Sequence, residues 1–126
     1  MHYMVTIDVP SLDEGLHFYR DALGMAEVTR PIVSYAILQC GSSKLGLMEK
    51  SAGSKPAEGS VDVRRYERHW TPVHIDFHVD DFDEFISRAL DAGAQCERKF
   101  EGNGHPPVAF CSDPFGNGFC VLGLKA

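Results

Sequence analysis

Displaced by 70 residues, this chain pairs with itself. Leu12-Asp13-Glu14 falls on Phe82-Asp83-Glu84, Leu16 on Ile86, Asp21-Ala22 on Asp91-Ala92 and Glu27 on Glu97. The same offset sets Met4 on His74, Thr6 on Asp76 and Asp8 on His78; four extra residues in a later loop of the second copy then set Gly46 on Cys120. A repeat restricts the fold sharply, because both copies must form one supersecondary unit. Each copy is about half of a 126-residue chain. That is too little to bury a large core alone.

The unit itself reads from periodicity. Met4 to Val9 alternates, with Val5, Ile7 and Val9 on one face and Met4, Thr6 and Asp8 on the other, which predicts a strand. Ser11 followed by Glu14 has the form of a capping box, and Leu12, Leu16, Tyr19 and Leu23 continue at helical spacing until Gly24. Strands are expected over Met25–Thr29, broken by Pro31, then over Val33–Cys40 and Lys44–Met48. The second copy repeats the order. A helix is expected over Asp81–Ala92 with Phe82, Phe85, Ile86, Ala89 and Leu90 inward, and strands over Ala94–Phe100, Val108–Ser112 and Gly118–Leu124. Each copy is thus a βαβββ module, and the fold class is α+β: two tandem modules forming a curved mixed sheet with helices outside.

Between the copies the composition changes. Module one covers about residues 1–50, a linker about 51–70 and module two about 71–126, all within a single 1–126 domain. The linker ends in a basic and aromatic run, Arg64, Arg65, Tyr66, Arg68, His69 and Trp70. The chain as a whole carries twelve basic and eighteen acidic residues, a net charge of −6, which disfavours nucleic acid and suits neutral or cationic small ligands. No run reaches the roughly 18 apolar residues of a membrane span, so a cytoplasmic location without membrane contact is expected. Cys40, Cys96, Cys111 and Cys120 lack paired spacing and read as reduced, mostly buried thiols, with Cys120 the one to test for reactivity.

The densest chemistry lies in His74-Ile-Asp-Phe-His-Val-Asp-Asp81. His74, Asp76 and His78 alternate with Val73, Ile75, Phe77 and Val79, so the strand has a polar face. Combined with the repeat, that face predicts a polar cup lined by Met4, Thr6, Asp8, Gly46, Met48, His74, Asp76, His78, Cys120 and Leu122. Thr6, Asp8, Met48, His74, Asp76, His78, Cys120 and Leu122 are its expected ligand-binding residues. Two histidines and a carboxylate at alternate positions lie roughly 6.5 to 7 Å apart at Cα between neighbours, close enough for two to share an ion. They serve equally as hydrogen-bonded cup histidines with no ion.

The runs IDVPSLDEGLHFYRDALGM, TPVHIDFHVDDFDEFISRALDAGA and CSDPFGNGFCVLGL resemble, across nearly the whole chain, the vicinal-oxygen-chelate superfamily of glyoxalase I, bleomycin-resistance proteins, fosfomycin-resistance enzymes and extradiol dioxygenases. The resemblance implies the fold above, a small-molecule partner and a homodimer. It also implies a divalent metal held at four positions, here Met4, Gly46, His74 and Cys120. Of these only His74 keeps a ligand of the family type, and Cys120 replaces the carboxylate base of glyoxalase I. The expectation is therefore a glyoxalase- or bleomycin-resistance-like binder of a small organic ligand, with no metal cofactor and a degraded metal quartet. The competing expectations are a lactoylglutathione-lyase-like lyase or isomerase using an altered divalent-metal ligand set around His74 and Asp76, and a structural module with a filled cup. Met4, His74 and Cys120 would form a soft set suited to Cu(I) or Zn.

Overall fold

The computed structural model describes residues 1–126. Two compact units divide the chain, Met1–Tyr66 and Glu67–Ala126. In the first, β1 (Val5–Val9) leads to α1 (Leu12–Leu16), then to β2 (Ala26–Ile32), β3 (Tyr35–Cys40) and β4 (Ser43–Glu49). In the second, β5 (Ile75–Val79) leads to α2 (Phe82–Asp91), β6 (Gln95–Phe100), β7 (Val108–Ser112) and β8 (Gly118–Gly123). Each unit forms a four-stranded mixed sheet, of order β1-β4-β3-β2 and β5-β8-β7-β6. The βαβββ repeat is therefore real. The register reproduces the offset too: Thr6 pairs with Gly46 across the parallel β1–β4 ladder, and Asp76 with Cys120 across β5–β8.

In the first module the apolar face of the sheet packs on the helix. Val9, Ala36, Leu38 and Leu47 are fully buried, as are Phe18 and nearly Tyr19 from the helical side. Side chains of this size each contribute about 1.5–3 kcal/mol when fully buried. Gly15 permits the close approach, since a Cβ there would meet Val9 Cγ1 and Cγ2 at 3.1 Å and Leu47 Cδ1 at 3.4 Å. Ser11 caps α1 by accepting from the Glu14 N–H at 3.3 Å, as the capping box predicts. In the second module Asp81 takes the same role, accepting from Glu84 N–H at 3.0 Å. Phe77 faces α2, its ring 5.8 Å from Phe85 and 5.6 Å from Phe119.

Several expectations need correction. The first helix is not uniformly α: residues His17–Ala22 are π-helical, and Leu23 N–H reaches back to Phe18 O. Pro31 does not break the second strand but lies within β2. That strand is at the sheet edge, and Pro31 falls in the register shift between Thr29 and Ile32, where it has no ladder partner to lose. Leu90 is 43% exposed, because α2 directs Phe82, Phe85, Ile86 and Ala89 inward and Leu90 falls outside that stripe. Among the cysteines only Cys111 is buried; Cys40 is exposed at the end of β3, next to the Gly41 turn, and Cys96 and Cys120 are half-buried.

The DPFGN segment forms a tight turn before β8. The buried Asp113 carboxylate accepts from Phe115 N–H, Asn117 N–H and Asn117 Nδ2, each at 2.9 Å. Gly116 adopts φ +86°, and its missing side chain lets the Glu67 carbonyl approach: a Cβ would lie 2.0 Å from that oxygen. The turn thereby holds the end of the linker in the second unit, reinforced by His69 Nε2 against Asn117 Oδ1 at 3.0 Å.

Candidate functional site

In the second module the strand alternation turns His74, Asp76 and His78 to the face away from α2, all three exposed, while Ile75, Phe77 and Val79 are half-buried. His74 Nε2 lies 3.2 Å from Asp76 Oδ1. Cys120 lies directly across the ladder from Asp76. Burial, and then the Asp76 charge, push the Cys120 thiol above its ordinary range, so it is a protonated group and a poor nucleophile at neutral pH. The ligand atoms of His74, Asp76 and Cys120 all lie within 4.8 Å of one another. His78 is one step further along, opposite Leu122.

The same face continues into aromatic surface. Phe110 is the ladder partner of Cys120 and is 41% exposed. Its ring meets Phe100 edge-on at 5.6 Å, and the Arg98 guanidinium lies 4.7 Å from the Phe100 centroid. An acid, an imidazole, a thiol, two phenyl rings and a guanidinium thus share one side of one sheet. Sequence periodicity around residue 74 marks the acid and the imidazole, and the internal repeat marks the thiol, but neither marks Phe100, Phe110 and Arg98, whose place follows from strand register.

The first module presents a different face. Asp8 is ion-paired with Arg64, Nε to Oδ2 at 2.7 Å, and the Arg64 Nη1 also donates to Ser54 Oγ at 3.2 Å and Lys55 O at 2.9 Å. Arg64 was expected only as part of a basic loop. Thr6 faces Gly46, and a Cβ on Gly46 would meet Thr6 Oγ1 at 2.6 Å, Tyr35 Cε2 at 2.9 Å and the Tyr35 hydroxyl at 3.0 Å. The space that a side chain at position 46 would need is already taken. Met48 is half-buried between its partners Asp8 and Tyr35.

A divalent metal of the superfamily type needs three or four imidazole or carboxylate donors. Met4 offers a thioether and precedes β1; Gly46 offers nothing, and Thr6 and Tyr35 stand where its side chain would be. Of those four positions, His74 alone carries an imidazole or carboxylate donor.

Residues 4–122 match the family described as a glyoxalase-like domain. This chain belongs to it. Among curated proteins none matches. Solved structures similar to this glyoxalase-like chain include a hypothetical protein, SA1046, from S. aureus, at TM-score 0.72 and 19% identity, covering 98% of this chain and 96% of the other. The fosfomycin resistance protein FosX from Listeria monocytogenes is similar at TM-score 0.71 and 17% identity, covering 98% and 92%. A lactoylglutathione lyase from Agrobacterium tumefaciens is similar at TM-score 0.63 and 21% identity, covering 98% and 94%. At these identities the likeness extends to the fold, which is that of the vicinal-oxygen-chelate superfamily, and the chemistry is decided by individual residues.

Proposed function

We propose that this glyoxalase-like protein binds a small organic ligand against the polar faces of its sheets and lacks the metal quartet of the catalytic members. Gly46 is the observation that carries this reading: Thr6 and Tyr35 fill the room where the superfamily places a ligand, so restoring a donor there requires displacing them. Support for binding comes from the exposed His74, Asp76 and His78 and from the adjoining Phe110 and Phe100. Thr6, Asp8, Met48, Cys120 and Leu122 complete the residues assigned to the ligand. The acidic balance favours a cationic guest such as a glycopeptide antibiotic. We extend the reading to a cytoplasmic homodimer; no helix is long and apolar enough to cross a membrane.

The alternative is a lyase or isomerase whose divalent metal sits on an altered set around His74 and Asp76, and the 3.2 Å approach of those two groups favours it. One experiment separates the two. Chelator-treated protein is titrated with bleomycin by calorimetry, and the methylglyoxal–glutathione hemithioacetal is assayed with added Ni, Zn, Mn and Fe. Binding without turnover is expected. Metal-dependent turnover that disappears in His74→Ala overturns the binder reading, and sedimentation at a monomer mass overturns the dimer.

A further inference from the structure

Cys96 and Cys111 face each other across a strand ladder. They are paired residues of the antiparallel β6–β7 ladder, and both are free thiols. Residues opposed in this way have Cα atoms about 4.5 to 5.5 Å apart and side chains on one face. A disulfide spans Cα separations of about 4.4 to 6.8 Å, so the ladder holds the two cysteines within bonding range.

The face they share excludes the remaining cysteines. On β8 the partner of Cys111 is Phe119, whereas Cys120 lies opposite Phe110 and Asp76. Strand alternation therefore sets Cys120 on the opposite side of the sheet from Cys111. Cys40 ends β3 in the other unit. The first module builds the corresponding ladder with Ala26 opposite Gln39, so the βαβββ unit does not require a cysteine pair there.

We propose that Cys96 and Cys111 form a reversible dithiol–disulfide switch, closed by a hydroperoxide and reopened by a dithiol reductant, that staples the edge strand β6 to β7. It uses neither the metal positions of the superfamily nor the residues assigned to the organic ligand. The ladder register shifts between Cys96 and Arg98, so the link acts where the pairing of β6 is interrupted.

Exposure sets the order of events. Cys96 is half-buried, whereas Cys111 is 3% exposed and its thiol is pushed up to about 12 by burial and then by the neighbouring Cys96. Cys96 is thus the sulfur that meets peroxide first. Its thiolate attacks one peroxide oxygen, the O–O bond breaks, hydroxide leaves and Cys96 becomes a sulfenic acid. The Cys111 sulfur then attacks the Cys96 sulfur; the S–O bond breaks and the hydroxyl leaves as water with the Cys111 proton. Two thiols and one hydrogen peroxide give one disulfide and two waters, with two electrons passing from sulfur to the peroxide. The scarcity of Cys111 thiolate makes closure the slower step.

The test treats the reduced full chain with hydrogen peroxide without denaturant, blocks remaining thiols with N-ethylmaleimide and maps peptides by mass spectrometry. The expected result is a peptide pair joined through Cys96 and Cys111 and separated by dithiothreitol. The thermal midpoint of the oxidised chain should rise by about 5 °C, because the link closes a loop over residues 96–111. Cys96→Ser should form no link. Cys111→Ser should instead accumulate a Cys96 sulfenic acid that dimedone traps, and both variants should lose the rise. Cys40→Ser should change neither the link nor the rise. Absence of the Cys96–Cys111 peptide, a link formed mainly to Cys40 or Cys120, or an unchanged midpoint in the linked chain overturns the switch. Far-ultraviolet circular dichroism of the reduced proteins checks that each variant is folded. A variant that unfolds is replaced by Cys96→Ala or Cys111→Ala, judged by the same criteria.

Discussion

Arg64 reaches back across 56 residues to place its Nε 2.7 Å from Asp8 Oδ2. The pair ties the linker to the strand that opens the chain, and backbone bonds Gly53 N–H to Arg64 O and Arg64 N–H to Ser54 O close the loop around it. Asp8 therefore meets any ligand as half of an ion pair.

Arg64→Ala should release this loop. With Asp8 37% exposed, solvent screening holds the cost to about 1 kcal/mol. The larger effect is local: limited proteolysis should cut within residues 51–65 several times faster than in the parent. Unchanged cleavage would show that the guanidinium does not hold the loop.

Gly46→Ala places a methyl group 2.6 Å from Thr6 Oγ1 and 2.9 Å from the Tyr35 ring. Overpacking of this size costs about 1–3 kcal/mol. Adding Thr6→Ala should recover part of the loss, because the tightest contact is then removed. Chemical denaturation of the two variants measures it, and additive losses would contradict the contact.

Asp113→Ala removes three hydrogen bonds at a buried carboxylate and leaves the Phe115 and Asn117 amides without their acceptor. The expected destabilisation is about 2–4 kcal/mol. Asp113→Asn, which keeps one acceptor oxygen, should lose less. Equal losses in the two variants would contradict this account.

Burial, followed by the neighbouring Cys96, pushes the Cys111 thiol from an ordinary 9.0 up to about 12. The unfolded chain ionises this thiol from about pH 9 while the folded chain keeps its proton, so between those values the unfolded state binds fewer protons. Stability is unaffected below pH 9 and falls as pH rises toward 12. The drop in thermal midpoint between pH 8 and pH 10 should be smaller in Cys111→Ala than in the parent. Iodoacetamide at pH 8 should label exposed Cys40 first and Cys111 only on unfolding.

The modules were legible because their signals are local. Period-two alternation in residues 4–9 and 73–79, the Ser11 cap and the 70-residue repeat all depend on near neighbours, and the structure places β1, β5 and both helix starts within a residue or two of those marks. The face bearing His74, Asp76 and His78 was legible for the same reason. Pro31 misled because a proline interrupts an interior strand and not an edge one, and edge position is a property of the sheet. Cys40 misled because burial of a small thiol depends on what packs over it.

By itself, the amino-acid sequence determined the repeated βαβββ unit, the family and the side of β5 that carries the acid and the histidines. Only the tertiary structure decided that Cys120 would lie beside Asp76 and His74, that Tyr35 and Thr6 would occupy the space at Gly46, and that Arg64 would pair with Asp8. Alternation along a strand is written in consecutive residues. Which strand lies beside it, and in what register, is settled by cooperative packing over tens of residues.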